Sequence, residues 1–244
     1  MHLEKILQSQ GFGSRKQCRF LIENGKVKVN NTPCSDPKTN FPTVNLEFTV
    51  AGQTWQYREK IYIAMNKPIG FECSHNPQHH QSVFSLLPPQ LIERGVQCVG
   101  RLDQDTTGLL LLTDDGAYLH ALTHPRRHVP KRYRITTHEP VTSAQIEQLE
   151  SGVELNGEKE LLRAYDCILE DDQVLSFTIH QGIYHQVKRM IAAVGNHVVA
   201  LHREQIGQLG LSDIAEGQWM YLNSEQQQLA KQMSDAEYQI FNLK

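Results

Sequence analysis

The 244-residue chain lacks the long apolar segment that a membrane span requires, since no apolar run approaches about 18 residues. Its five cysteines are odd in number, widely separated and without a Cys-x-x-Cys pair, so neither a disulfide framework nor a zinc ribbon is supported. Residues 1–5 begin a polar amphipathic pattern instead of the apolar core of a signal peptide. These absences predict a cytoplasmic protein in a reducing compartment, with no membrane association.

The chain also lacks a strong net charge, at −3, but its charges are unevenly distributed. Residues 1–50 contain seven basic and four acidic residues, and residues 120–135 contain five basic residues and no acid. Residues 145–172 contain nine acids and two basic residues. A polyanion is attracted to basic surfaces and repelled by acidic ones, so this distribution is compatible with nucleic-acid binding.

Residues 100–116 carry the most specific pattern in the chain. They place Arg101, Asp103 and Asp105 in a short loop before 109–112, a leucine run that predicts a buried strand. A polar hairpin explains this loop, and so does a nucleophilic or general-base aspartate that a nearby cation keeps ionised. A sugar hydrolase with Asp103 and Asp105 as its two carboxylates is a further alternative. A calcium loop is disfavoured, because leucines occupy positions that should supply ligands.

Residues 1–58 have the pattern of a small separate domain. Apolar spacing within 3–7 predicts a helix, and Ser14 with Gln17 predicts a capping box for a second helix. The basic, alternating segment 26–29 predicts a half-buried strand. Two short helices followed by a basic hairpin resemble an S4-type RNA-binding domain. The resemblance implies a phosphate-facing surface of five cations: Arg15, Lys16, Arg19, Lys26 and Lys28.

Residues 61–232 predict a second, larger domain with irregularly interleaved elements. The expected strands include 61–65, 131–137 and 174–179, and the expected helices include 117–123, 143–151 and 185–194. Because these elements form no repeating strand–helix–strand unit, the expected fold class is α+β with a mixed, mostly antiparallel sheet.

Four blocks of this larger domain resemble the motifs of bacterial rRNA pseudouridine synthases of the RsuA family. Residues 100–116 resemble the block that carries the catalytic aspartate. Residues 66–70, 131–133 and 182–190 resemble a first motif, a block with an active-site tyrosine and a third motif, in the family's order. One position departs from the pattern, because Ile183 stands where the family usually has a basic residue.

The resemblance implies an isomerase that converts a specific uridine in RNA to pseudouridine. It implies Asp103 as the catalytic carboxylate, Lys188 as the cation that keeps it ionised, and Tyr133 as the ring that stacks on the target uracil. Asp103 would either add to the anomeric carbon or remove a sugar proton, and the sequence leaves both open. Further RNA contacts are implied for Arg101, Lys131, Arg132 and Arg189.

No cofactor or metal is expected, because the isomerisation exchanges one sugar–base bond for another. A metal site remains a weak alternative. Its candidate ligands are Cys73, His75, His79 and His80 in one segment, and His120, His124 and His128 in another. The first segment lacks a standard ligand spacing, and Pro125 interrupts the second.

The expected partner follows from residues 193–207, which resemble the small-subunit members of the family. The sequence therefore predicts a monomer that acts on 16S ribosomal RNA within a small-subunit assembly intermediate. A large-subunit (23S) synthase and a non-catalytic RNA-binding assembly factor stay open as alternatives.

Overall fold

The computed structural model describes residues 1–211 and 213–233, which form two compact units. The first unit comprises Met1–Ile61 and Leu87–Gln97. The second comprises Tyr62–Leu86 and the described residues from Cys98 onward. Within the described ranges, no helix is both long enough and apolar enough to cross a bilayer.

The first unit combines helices with a small antiparallel sheet. Its elements are α1 (Leu3–Ser9), α2 (Arg15–Glu23), β1 (Val27–Val29), β2 (Thr32–Pro33), β3 (Glu47–Val50), β4 (Gln53–Gln56) and α3 (Pro89–Glu93). The strands pair in the order β2-β1-β3-β4. Helices α1 and α2 share one apolar core with strands β1 and β3, and this core includes Leu3, Ile22 and Phe48. The predicted capping box of α2 is confirmed. The Gln17 N–H donates to Ser14 Oγ, and the Ser14 N–H donates to Gln17 Oε1.

Residues 87–97 join the first unit although they follow part of the second in sequence. Arg94 donates hydrogen bonds to Gln10 Oε1 (3.0 Å) and to the carbonyl oxygen of Arg58 (2.8 Å). Gly11 lies so close to Gln90 that a Cβ at Gly11 would be 2.0 Å from the Gln90 carbonyl oxygen. The sequence-based division into 1–58 and 61–232 stays a prediction. It counts residues 87–97 with the larger domain.

The second unit is organised around a nine-stranded sheet. Its strands, with a separate β6–β7 pair, are β5 (Tyr62–Lys67), β6 (Phe71–Glu72), β7 (Gln81–Ser82), β8 (Gln97–Val99), β9 (Thr106–Thr113), β10 (Lys131–Thr137), β11 (Tyr165–Asp171), β12 (Val174–Ile179), β13 (Val198–Ile206), β14 (Leu209–Gly210) and β15 (Trp219–Tyr221). Its helices are α4 (Gly116–Thr123), α5 (Ser143–Ser151), α6 (Gln186–Ala193) and α7 (Ser224–Leu229), with short 3₁₀ turns at Val83–Leu86 and Pro125–Arg127.

The main path of the large sheet is β11-β12-β10-β13-β9-β5-β15, with β14 paired to β13 and β8 to β9. Strands β13 and β9 run parallel, whereas β10 pairs antiparallel with both β12 and β13, and β5 pairs antiparallel with β9. The expected α+β class with a mixed, mostly antiparallel sheet is therefore confirmed. The strands predicted at 131–137 and 174–179 and the helix at 143–151 have the predicted bounds.

Strand β9 holds the position that anchors the acidic loop. Its leucines at 109–112 are fully buried between β13 and β5, as the leucine run predicted. At its start, Gly108 has φ +101°, and a Cβ there would be 2.3 Å from the carbonyl oxygen of Arg203 on β13. Glycine is therefore required for β13 to approach β9 at this register.

Candidate active site

A buried lysine forms hydrogen bonds with the backbone of the acidic loop. Lys67 is fully buried, and its Nζ donates to the carbonyl oxygens of Pro68 (3.0 Å), Gln104 (3.4 Å) and Thr106 (2.8 Å). Burial lowers the pKa of Lys67, and three carbonyl acceptors replace part of the hydration that burial removes. Two of these carbonyls flank Asp105, so the lysine fixes the backbone of the loop.

Asp103 lies in a cluster of charged and titratable side chains. Its Oδ2 accepts a hydrogen bond from Lys188 Nζ at 3.0 Å, and its Oδ1 lies 3.2 Å from Nε2 of His185. The same Lys188 Nζ bonds Asp105 Oδ1 at 2.6 Å. The side chain of Asp103 nevertheless remains 34% exposed. Both of its oxygens thus face a nitrogen, while the carboxylate stays accessible to a ligand.

Within this cluster, the electrostatics favour the charged forms of Lys188 and Asp105. Partial burial opposes the charge on Lys188, but hydrogen bonds to Asp105 and Asp103 outweigh it and raise the pKa of Lys188. Burial likewise opposes ionisation of Asp105, but the hydrogen bond from Lys188 helps to lower the pKa of that carboxyl. Lys188 and Asp105 therefore each stabilise the charged form of the other.

The start of helix α6 brings His185 and Lys188 to Asp103. His185 has a left-handed backbone (φ +49°) immediately before the helix, and its ring stacks on Tyr184 with centroids 3.8 Å apart. Val187 and Met190 are buried, which fixes the orientation of the first helical turn. Residues three apart on a helical turn lie on the same side, so His185 and Lys188 reach one carboxylate.

A cavity of about 740 Å³ opens beside Asp103, in the size range of small-ligand pockets. Its lining includes Arg101, Asp103, Thr106, Tyr133, Lys188 and Arg203. Tyr133 on β10 is only 7% exposed and lies directly opposite Arg203 on β13. The structure thus gathers the three residues predicted to be catalytic, Asp103, Tyr133 and Lys188, around one cavity. Their roles stay predictions.

The four RNA contacts predicted in this unit lie in different surroundings. Arg101 is exposed at the cavity. Lys131 also lines the cavity, where burial, reinforced by the nearby Arg203, lowers its pKa to about 8. Arg132 pairs with Glu204 (3.7 Å), and Arg189 pairs with Glu158 (3.1 Å). The last two cations are therefore already partnered by carboxylates.

The five RNA contacts predicted in the first unit divide into two kinds. Lys16, Lys26 and Lys28 are exposed. Arg15 and Arg19 both bind the buried carboxylate of Glu4, with 59% and 41% of their side chains still exposed. The first unit therefore offers three exposed lysines and two partly exposed arginines that are anchored by a buried carboxylate. Their role as RNA contacts stays a prediction.

Three residues of the site were missed by sequence reasoning: His185, Lys67 and Arg203. His185 and Lys67 lie inside blocks that carried the family resemblance, so the resemblance could have flagged them. A lone histidine or lysine in a local pattern gives no sign of its partner. Arg203 had no local signal, because arginine in a strand is ordinarily exposed.

Comparisons with known proteins agree with this geometry. Residues 61–193 match the family described as RNA pseudouridylate synthase, and residues 1–42 match the S4 domain. An uncharacterized RNA pseudouridine synthase of Bacillus subtilis, YtzG, is 38% identical over 230 residues, covering 93% of this chain and 96% of that protein.

Relatives named for a specific ribosomal subunit are similarly close. The ribosomal small subunit pseudouridine synthase A of Vibrio cholerae is 40% identical over 233 residues, covering 93% of this chain and 97% of that protein. Its namesake in Escherichia coli is 43% identical over 166 residues, covering 68% and 71%. A crystal structure of a pseudouridylate synthase matches with a TM-score of 0.67 and 32% identity, covering 94% of this chain and 99% of that one.

Proposed function

Because this chain belongs to the RNA pseudouridylate synthase family, it is an RNA pseudouridine synthase, and we propose that it modifies one uridine of small-subunit (16S) ribosomal RNA. The observation that carries the proposal is the accessible Asp103 carboxylate, bonded to Lys188 at 3.0 Å at the edge of a cavity large enough for a nucleoside.

The reaction breaks the bond between N1 of uracil and C1′ of the ribose, and then joins C1′ to C5 of the same ring. When the first bond breaks, its electron pair stays on the base. Asp103 either adds through one oxygen to C1′ or removes the proton on C2′. After the base turns, C5 bonds to C1′. In the same step the bond between Asp103 and C1′ breaks or, on the other route, Asp103 returns its proton to C2′. The C5 proton then leaves, and N1 takes up a proton. The reaction needs no atoms from outside except exchangeable protons.

Both roles of Asp103 require its ionised form inside a partly desolvated cavity. Burial alone would favour the neutral acid. Lys188 supplies the compensating charge at Oδ2, and His185 supplies a second nitrogen at Oδ1. These contacts hold the carboxylate in one orientation before RNA arrives, which is the advantage of a preorganised site.

Tyr133 provides an aromatic face for the uracil. Stacking on an aromatic ring holds a flat base without reading a particular edge of it. A uridine in folded RNA must leave its stack to reach a buried tyrosine, so the proposal includes extrusion of the target nucleotide. Arg101, exposed at the mouth of the cavity, is then suited to contact the RNA backbone around the extruded residue.

The choice of 16S RNA is supported by the relatives from Vibrio cholerae and Escherichia coli, both named for the small subunit. The similar Bacillus subtilis protein is named only as an RNA pseudouridine synthase, so a 23S target is the alternative. We further propose that the protein acts as a monomer in the cytoplasm on an assembly intermediate, with the exposed lysines of the first unit contacting phosphates.

The test uses purified protein, 16S and 23S RNA, and small-subunit particles from cells that lack this gene. Pseudouridine is mapped nucleotide by nucleotide after incubation with wild-type protein, Asp103→Asn or Asp172→Asn, the last being a matched exposed control. We expect one new pseudouridine in 16S RNA with the wild type and the control. Asp103→Asn should give none while binding RNA with unchanged affinity.

The alternatives predict different results. A product only in 23S RNA would reassign the substrate, and no product with any RNA would favour a non-catalytic binding factor. A sugar hydrolase would lose activity with Asp105→Asn and would release free base from a simple nucleoside.

A further inference from the structure

Arg203 is a buried cation that the chemistry above does not use. Only 2% of it is exposed, and it lines the cavity beside Asp103. Its Nε donates to the carbonyl oxygen of Leu109 at 2.8 Å. Within residues 1–211 and 213–233, its buried Nη2 has no hydrogen-bond partner and no carboxylate forms an ion pair with it.

Such a group is unusual in a folded protein. Buried charges are ordinarily paired, and buried N–H groups ordinarily have acceptors, because each loses its water when it is enclosed. Among the described residues, none supplies an acceptor for Nη2. A ligand in the cavity that Arg203 lines could supply this acceptor.

The position of Arg203 relates it to the proposed base site. It lies directly opposite Tyr133 on the adjacent antiparallel strand, and opposed residues project from the same face of a sheet. Thr106, which lines the same cavity, also has a buried hydroxyl for which the described part of the chain offers no partner. A flat ligand stacked on Tyr133 would thus have a guanidinium and a hydroxyl available to its polar edge.

The reaction creates the ligand that this arrangement fits. When N1 separates from C1′, the electron pair leaves with the base, and the resulting uracil anion spreads its charge over N1, O2 and O4. A guanidinium donates hydrogen bonds to such oxygens without losing its own proton. Lys188 is unsuited to this task, because Asp103 and Asp105 already share it.

We propose that Arg203 donates a hydrogen bond to a carbonyl oxygen of the target uracil and stabilises the anion that forms when the N1–C1′ bond breaks. This inference rests on the proposed function. No proton moves from Arg203: the base remains anionic until C5 bonds to C1′, and the C5 proton and the proton taken up by N1 then balance. Arg203 acts on charge that develops during the reaction, so its loss should slow catalysis more than it weakens RNA binding.

The test compares Arg203→Gln with wild type on two RNAs, one carrying uridine and one carrying 5-fluorouridine at the target. Fluorine withdraws electrons, so the fluorinated anion needs less help from the protein. Single-turnover loss of the N-linked nucleoside, measured by digestion and mass spectrometry, isolates bond breakage. We expect a decrease of about 100-fold with uridine, as for loss of one preorganised donor. The decrease with 5-fluorouridine should be about tenfold or less, and RNA affinity should be unchanged.

Arg134→Gln is the matched control, since Arg134 is exposed on the same strand as Tyr133 and pairs with Glu170 at 2.8 Å. It should behave as wild type. Arg203→Lys keeps the positive charge on a side chain of different length. It provides a second test if the glutamine variant fails to fold. It should show a smaller rate loss with the same dependence on fluorine.

A second measurement does not depend on turnover. Binding of free 5-nitrouracil, which is anionic at neutral pH, is compared by calorimetry with binding of neutral uracil. Wild type should prefer the anion, and Arg203→Gln should lose that preference by about tenfold.

Equal rate losses with both RNAs, or an unchanged preference for the anion, would mean that Arg203 is structural and would overturn the inference. Absence of pseudouridine with wild-type protein would instead overturn the proposed function.

Discussion

Two clusters in this molecule combine a carboxylate with two basic side chains, and they serve different ends. In the first unit, Arg15 and Arg19 bind the two oxygens of Glu4, whose side chain is 1% exposed. In the second unit, Lys188 and His185 bind the two oxygens of Asp103, whose side chain is 34% exposed. The pairing chemistry is similar, and the difference lies in accessibility.

The cluster of Glu4, Arg15 and Arg19 is a saturated cluster, because both carboxylate oxygens are occupied, and its role is structural. Hydrogen bonds from Arg15 and then Arg19 lower the pKa of Glu4 to about 2, against the effect of burial. Glu4 belongs to α1 and both arginines belong to α2, so the pair joins two helices. No accessible oxygen remains for a ligand. A carboxylate that is fully used by its partners contributes to the fold and has no free edge for chemistry.

The cluster of Asp103, His185 and Lys188 is an open cluster, because its carboxylate stays accessible to a ligand. Lys188 is shared with Asp105, so its one positive charge is divided between two carboxylates. The backbone around Asp103 is held by Lys67 beneath the loop and by β9 after it. Rigidity therefore comes from outside the charged groups, and the carboxylate can meet a substrate without releasing its support.

Removal of Lys188 should strongly reduce catalytic activity, because it takes the cation away from the open cluster. Lys188→Met leaves Asp103 and Asp105 as adjacent like charges without a cation, which favours protonation of one of them. We expect the single-turnover rate of pseudouridine formation at pH 7 to fall by about 100- to 1000-fold. The midpoint of thermal unfolding should change little, because the pair is partly exposed.

Asp105→Asn is the control for that variant, since it leaves Lys188 with Asp103 alone. It should reduce the rate by about tenfold or less, as a supporting residue would. A loss as large as that of Lys188→Met would assign Asp105 a direct part in the chemistry. Retention of full activity by Lys188→Met would show that the open cluster needs no cation.

Substitution of Gly108 tests whether backbone support is what distinguishes the open cluster. A Cβ at this positive-φ position would be 2.3 Å from the Arg203 carbonyl oxygen, so β9 and β13 must separate. Gly108→Ala should lower the free energy of unfolding of the second unit by about 2–5 kcal/mol. Urea denaturation followed by circular dichroism measures this change.

Gly116→Ala is the matched control, because the first residue of α4 has open space around it. It should be neutral or stabilising by about 0.5 kcal/mol. Stability of Gly108→Ala equal to that of the control would mean that the two strands tolerate separation, and that the loop does not depend on their close approach.

The sequence predicts the elements whose pattern is local. The Ser14–Gln17 capping box, helix α5 and the leucines of β9 follow from spacing within a few residues. Strand β11 escaped prediction because it lies at a sheet edge and five of its seven residues are exposed, so it has no alternating apolar pattern. Strand β13 escaped because it contains a buried arginine in place of an apolar residue.

The site required information that no local pattern contains. Asp103 and Lys188 are 85 residues apart in sequence, and their resemblance to family motifs alone linked them. The buried position of Lys67 contradicts the ordinary exposure of lysine and depends on three backbone carbonyls from two separate segments. Such positions are set by packing of the whole unit, which appears only in three dimensions.

The smallest expected effect concerns the saturated cluster and is confined to acid. The pKa of Glu4 is depressed in the folded state, from 4.5 to about 2. A depressed carboxyl pKa stabilises the fold fully above the unfolded value, and this contribution is lost as pH falls through the folded value. Glu4→Gln should therefore unfold at lower temperature than wild type at pH 7, and the difference between the two should shrink from about pH 4.5 towards about pH 2.

Calorimetry across this range measures the effect, with the exposed Glu23 on α2 as a control in Glu23→Gln. The control should follow wild type at every pH. At pH 7 and a temperature well below unfolding, Glu4→Gln should retain the wild-type catalytic rate at saturating RNA, because the Glu4 carboxylate is buried and is not part of the Asp103 cluster. A difference from wild type that stays constant down to pH 2 would remove the ion pairs as the cause. A reduced rate at saturating RNA would contradict the separation of structural and catalytic roles between the two clusters.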